Sequence, residues 1–174
     1  MLSAESAWRV LRAEHARIRE LMGALDDALR ADDWHRPGRA LDALRAGLRR
    51  LQAFDDVTHR PKGVVLLRTL RKRSPQSDEL LDALARDRDQ CDALLSTARR
   101  QLEELAQGAG GAPDEVRSLL GRHRRLMLHH MEREETLLHS HAAQLLTPAE
   151  WSMVVSSMSA VVGAAAQRER RRSG

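Results

Sequence analysis

The segment that decides the fold is residues 116–141, VRSLLGRHRRLMLHHMEREETLLHSH. One stripe with a spacing of three or four residues runs through it and consists of Val116, Leu120, His123, Met127, His130, Glu134, Leu137 and His141. This spacing is typical of an amphipathic α-helix. Three other long segments carry the same periodicity, with stripes that begin at Trp8, Leu41 and Leu81. The pattern predicts helices along most of the chain.

The composition of the 174-residue chain also favours an all-helical fold. Hydrophobic residues make up 42% and charged residues 31%, which suffices for a buried core. Aromatic residues are only 2% and β-branched residues are sparse, which argues against a β-sandwich or barrel. The net charge of +4 does not require a nucleic-acid partner, and so few aromatics leave no stacking platform for single-stranded bases. Cys91 is the only cysteine, so an intrachain disulfide and a cysteine-rich zinc site are excluded.

Helix-breaking residues divide the chain at regular intervals. They are Pro37-Gly38, Ser74-Pro75, the glycines 108, 110 and 111 with Pro113, and Thr147-Pro148. The last pair also predicts a helix start, because Thr147 suits the N-cap and Glu150 the third helical position. Four long amphipathic segments joined by short loops predict an antiparallel up-down four-helix bundle with a short fifth C-terminal helix. We expect the bundle over residues 1–166 and a basic, disordered tail over 167–174.

We expect neither a signal peptide at the N-terminus nor a membrane span near the C-terminus. Glu5, Arg9 and Arg12 interrupt any apolar run near the N-terminus, which argues against a signal peptide. The longest weakly polar stretch, residues 151–166, is serine-rich and too short to span a bilayer. We therefore expect a cytoplasmic protein without a membrane partner.

Polar residues interrupt the apolar stripes of all four long segments. His15 lies in the first stripe, His59 in the second and Arg88 in the third, while His130 and Glu134 lie one turn apart in the fourth. If these positions share one height in the bundle, they form a buried polar layer that must be paired or metal-bound. Imidazoles and a carboxylate can share one ion, and the i, i+4 spacing of His130 and Glu134 permits this. The alternative is a buried ion pair between Arg88 and Glu134 without a metal.

The chain resembles the hemerythrin-like, HHE cation-binding family over about residues 8–160. The first-helix segment RAEHARI (12–18) is similar to the family's opening pattern. The segment HRPKG (59–63) is similar to the family's His-His-Pro-Lys-Glu, and HMEREE (130–135) is close to its His-Met-x-x-Glu-Glu. The segment LLTPAEW (145–151) is similar to the usual closing segment.

The resemblance implies a diiron centre inside a four-helix bundle, held by histidines and by two bridging glutamates. Carried over residue by residue, the retained ligands are His15, His59, His130 and Glu134. Two ligand positions depart from the family pattern, since Gly63 stands for the second-helix glutamate and Arg88 for the third-helix histidine. The missing carboxylate removes charge that would offset two divalent ions, and Arg88 adds a permanent cation. These departures predict that the chain holds no intact diiron centre and is not an oxygen carrier.

Two functions stay open at this point. In the first, a single non-heme metal ion, with iron favoured over zinc or manganese, is bound by His15, His59, His130 and Glu134 in a non-enzymatic sensor or stress-response module. In the second, the chain is a metal-free pseudo-hemerythrin in which Arg88 replaces a metal and the bundle acts as an interaction or regulatory module. Either function is compatible with a protein partner or a homodimer. Nucleic-acid binding is disfavoured, because no helix-turn-helix pattern accompanies the arginine-rich runs.

Overall fold

A computed structural model gives the architecture of the chain. It describes the backbone of residues 2–31 and 33–172, and the side chains of residues 4–31 and 33–160. Most of these described residues are helical, and none of them forms a strand. The all-helical fold class predicted from the sequence is therefore confirmed.

Five continuous helical segments make up the described part of the chain. The first is α1 (Leu2–Leu29). The second consists of α2 (Arg39–Phe54), a π-helical turn (Asp55–His59) and α3 (Arg60–Leu70). The third is α4 (Pro75–Ala106). The fourth consists of α5 (Pro113–Arg133), a second π-helical turn (Glu134–Leu138) and α6 (His139–Leu145), and the fifth is α7 (Pro148–Arg172).

The breaks between these segments lie where the glycine, proline and capping residues predict them. After α4, Gly108 adopts a φ of 67°, and the N–H of Ala109 donates to the carbonyl of Glu104 at 2.8 Å. This is a Schellman ending, which needs a residue that tolerates the left-handed region. Before α7, the N–H of Thr147 donates to Glu150 Oε2 at 2.8 Å, and the N–H of Glu150 donates to Thr147 Oγ1 at 3.3 Å. The reciprocal pair is a capping box.

The fifth helix is longer than the short one predicted, because α7 spans 25 residues. The apolar stripe fades in this region, but the alanines and charged residues that follow are strong helix formers, so the backbone helix continues. Side chains from residue 161 onward, and the whole of residues 173–174, lie outside the described residues. The disordered basic tail expected over 167–174 stays a prediction.

The chain divides into two compact units. The first unit comprises Met1–Ala16, Ala53–Ala83 and Arg133–Gly174, and the second comprises Arg17–Gln52 and Leu84–Glu132. In the first unit, the buried ring of Trp8 packs edge-on against His139 and Trp151, with centroid distances of 4.7 and 6.5 Å.

The second unit has its own apolar core. Its buried side chains include Ile18, Met22, Leu44, Leu48, Leu84, Leu102, Val116 and Met127. The fully buried ring of Trp34 is covered by the guanidinium of Arg117, which lies 5.0 Å from the ring centroid. Among the described residues, no helix combines the length and the apolar character needed to cross a bilayer.

Candidate metal centre

Three buried side chains of the first unit converge on one point. His15 comes from α1, His59 ends the first π-helical turn and Glu134 begins the second. Their nitrogen and oxygen ligand atoms all lie within 4.8 Å of one another. None of the three is more than 4% exposed. Two imidazoles and one carboxylate in such proximity can share one metal ion.

Both π-helical turns of the described chain carry a residue of this cluster. A π turn widens the helix locally and re-aims the side chains next to it, and such turns are frequent at functional sites. At the first turn, the N–H of Arg60 donates to the carbonyl of Asp55, five residues earlier. Pro61 follows directly and has no N–H for the carbonyl four residues before it, so the sequence favours a departure from α-helical bonding here.

Carboxylates fix the orientation of the two histidine rings. His15 Nδ1 lies 2.7 Å from Glu135 Oε1, and His59 Nδ1 lies 3.3 Å from Glu14 Oε2. Because a carboxylate accepts hydrogen bonds, each Nδ1 carries a proton and donates it. Each Nε2 then faces Glu134 Oε2, at 3.0 Å from His15 and 3.8 Å from His59. This carboxylate–histidine arrangement is typical of protein metal sites.

The Nε2 atom of His59 tests whether these residues fit a metal ion. The atom is buried and has no hydrogen-bond partner among the residues whose side chains are described. Since Nδ1 of the same ring is the donor to Glu14, Nε2 carries an unused lone pair. A buried polar atom without a partner is costly, and coordination to a metal would remove that cost. The donor set therefore fits a divalent cation.

The carboxylates around His15 favour a positive charge on or beside its ring. Burial lowers the pKa of the His15 imidazole, but the hydrogen bonds and charges of Glu134 and Glu135 outweigh burial and raise that pKa above its ordinary value of 6.5. In the chain without a metal, the two carboxylates favour the protonated form of His15. A metal ion at His15 must displace this proton, because only the neutral imidazole is a ligand.

A buried ion pair, which the sequence analysis did not identify, supports the His59 ring. The ammonium of Lys62 contacts Glu14 Oε1, while the other oxygen of Glu14 accepts the hydrogen bond from His59. Lys62 and Glu14 are 5% and 7% exposed. The signal for this pair was the position of Lys62 three residues after His59, since a lysine on a buried helix face requires a carboxylate partner.

The predicted ligand His130 lies in the second unit, where it is 2% exposed. Its Nε2 lies 3.3 Å from Nη2 of Arg88, and its Nδ1 lies 3.9 Å from Oδ2 of Asp87. A guanidinium nitrogen only donates, so in this contact His130 Nε2 is the acceptor and its lone pair is engaged. The role of His130 as a ligand stays a prediction.

The two family positions next to His59 are also described. Arg60, which stands for a second histidine, places Nη2 2.9 Å from Asp55 Oδ2. Gly63, which stands for a glutamate, is buried, and outside its own helix backbone an added Cβ would meet no atom of the described side chains within 4 Å. The helix therefore presents an unfilled space where the resemblance implies a carboxylate.

Comparison of the sequence with known proteins identifies its family. No curated protein and no solved structure matches the chain. The family model of the hemerythrin HHE cation binding domain matches residues 6–143 of the 174, a range that contains His15, His59, Glu134 and both π-helical turns. The resemblance read from the motifs is thereby confirmed, and the chain belongs to the hemerythrin HHE cation-binding domain family.

Proposed function

We propose that this protein binds a single non-heme metal ion through His15, His59 and Glu134. The observation that carries the proposal is the buried Nε2 of His59, which has no hydrogen-bond partner among the described side chains and faces Glu134 beside His15. Glu14 and Glu135 would hold the two rings in the tautomer that a metal requires. His130 is a further predicted ligand of this site.

Iron is the metal that we favour. Two histidines and one carboxylate with open coordination positions form the donor set of non-heme Fe(II) sites, although zinc and manganese accept the same atoms. We infer one ion and not two, because Gly63 supplies no bridging carboxylate and Arg88 places a permanent positive charge at a family ligand position. The family's helices would be arranged as an antiparallel four-helix bundle.

The biological role that we propose is that of a cytoplasmic sensor or stress-response module, neither an enzyme nor an oxygen carrier. The carboxylates nearest the ligands support a binding role, because Glu14 and Glu135 are each engaged in orienting a histidine. Neither is left as a free general acid or base. A protein partner or a homodimer would transmit the signal.

A second candidate function is a metal-free pseudo-hemerythrin that acts as an interaction module. The observation that favours it is the contact of Arg88 with His130, since a guanidinium on a predicted ligand competes with a cation. This candidate predicts that a chelator leaves the melting temperature unchanged. The metal-binding candidate predicts that removal of the metal lowers it.

A metal titration tests the first candidate directly. Chelator-treated protein is titrated anaerobically with Fe(II), and we expect saturation near one equivalent per chain. The His59→Ala variant should bind at least tenfold more weakly, because it removes the atom on which the proposal rests. His129→Ala is the matched control, since His129 lies on an exposed face of α5 and should bind as the parent does. Equal binding by His59→Ala and the parent would refute the proposed site.

A further inference from the structure

The buried position of Gly63 has no packing reason. Outside the backbone of its own helix, a Cβ added there would meet no atom of the described side chains within 4 Å, so none of these neighbours requires the absence of a side chain. Gly63 also lies inside α3, where its φ is not in the left-handed region. Glycine within a helix is less favourable than alanine, because it loses more backbone freedom on folding. Among the described side chains, this position thus combines an unfavourable helix residue with an unfilled space.

The unfilled space lies on the ligand face of its helix. Gly63 follows His59 by four residues, and residues with this spacing lie on the same face one turn apart. The metal-ligand nitrogen of His59 faces Glu134 from this helix. The space beside Gly63 therefore lies one turn from His59, on the helix face that carries this ligand.

Charge and coordination number show which molecule suits that space. Two neutral imidazoles and one carboxylate leave a divalent ion with a net charge of +1 and with open coordination positions. The nearby Glu14 does not offset this charge, because the ammonium of Lys62 pairs with it. The carboxylate of Glu135 is 27% exposed and accepts the hydrogen bond of His15 Nδ1, so it lies behind the ring and leaves the open coordination positions unfilled. A small anion with an oxygen donor would neutralise the ion.

We propose that the space beside Gly63 binds a short aliphatic monocarboxylate, of the size of acetate or propionate, as an exogenous ligand of the metal. Propionate has the carbon and oxygen atoms of a glutamate side chain from Cβ to the carboxylate. It could therefore take the place of the side chain that Gly63 lacks. This inference rests on the metal site proposed above. Binding of a carboxylate to the metal would then depend on carboxylate concentration. The proposed sensor would respond to short carboxylates.

Cobalt(II) provides a readout that does not depend on activity, because its visible absorption changes with coordination. We expect acetate and propionate to produce a saturable spectral change in the cobalt-loaded protein. Gly63→Val should keep one cobalt per chain and lose the saturable change, since its methyl groups fill the space. Gly63→Glu should show the altered spectrum without added carboxylate and bind cobalt at least tenfold more tightly.

Two further variants make the result decisive. Gly23→Val is the matched control, because Gly23 is another helical glycine at which an added Cβ meets no described side-chain atom within 4 Å. It should respond to acetate as the parent does. If Gly63→Val does not fold, Gly63→Ala takes its place and should weaken acetate binding several-fold. A parent protein that binds cobalt without responding to acetate, or an unchanged response in Gly63→Val, would overturn this inference alone. A parent that binds no cobalt would overturn the metal site as well.

Discussion

The ion pair between Glu14 and Lys62 should contribute separately to stability and to metal affinity. Both side chains are less than a tenth exposed, so water does not screen a charge that loses its partner. The Glu14→Gln substitution leaves the Lys62 ammonium buried and unpaired, and we expect it to cost about 3–5 kcal/mol of the free energy of unfolding. The same change removes the negative charge behind the His59 ring. We expect metal affinity to fall about 10- to 100-fold.

A double variant separates the two effects. Glu14→Gln combined with Lys62→Met removes both charges, so stability should return to within about 1 kcal/mol of the parent. Metal affinity should stay low, because His59 still lacks its carboxylate. The free energy of unfolding is measured by urea denaturation of chelator-treated protein followed by circular dichroism, and affinity by metal titration.

The control for this series is an exposed carboxylate of the same helix. Glu20 pairs with Arg17 at 2.9 Å, and both side chains are more than half exposed. Because surface pairs of this kind contribute about 0.2–1 kcal/mol, Glu20→Gln should change little. The reasoning is refuted if Glu14→Gln loses less than about 1 kcal/mol. It is also refuted if the double variant regains full metal affinity, since Glu14 would then act through Lys62 and not through His59.

Two other positions give independent predictions. Gly63→Ala should stabilise the protein by about 0.5–1 kcal/mol in urea denaturation. Gly111→Ala should destabilise it by about 1–3 kcal/mol, because its Cβ would lie 2.5 Å from a backbone carbonyl oxygen. Equal effects of the two substitutions would contradict the packing described. The backbone N–H and hydroxyl of Thr147 hold the pKa of Glu150 below its ordinary value of 4.5. The stability that Glu150 contributes is therefore present above pH 4.5 and is lost as the pH falls through the lowered pKa. The difference in melting temperature between the parent and Glu150→Gln should shrink on acidification, and a difference that grows would contradict this reasoning.

The helices could be predicted from the sequence because their signals are local. Apolar spacing predicted the helical segments. Gly108 marked a helix end that needs a left-handed residue, and Thr147 marked a helix start that needs a side-chain cap. The C-terminal helix was underestimated because its apolar stripe fades before its helix-forming composition does.

The site was only partly predictable. His15 and Glu134 interrupt apolar stripes, so they stood out as buried polar residues. Glu14 and Glu135 did not, because each is the sequence neighbour of a ligand and reaches a histidine of another segment. The π-helical turns carry no local signature except Pro61, which follows the first of them. Side-chain partners across helices are set by tertiary contacts, which periodicity does not encode.

The central claim is a single metal ion at His15, His59 and Glu134, and metal content tests it most directly. Untagged protein purified from iron-supplemented medium is measured by elemental mass spectrometry, together with its absorption spectrum. We predict about one metal ion per chain in the parent and a clearly lower metal content in His59→Ala. Two irons per chain with the absorption of an oxo bridge, or a parent that contains no metal, would contradict it.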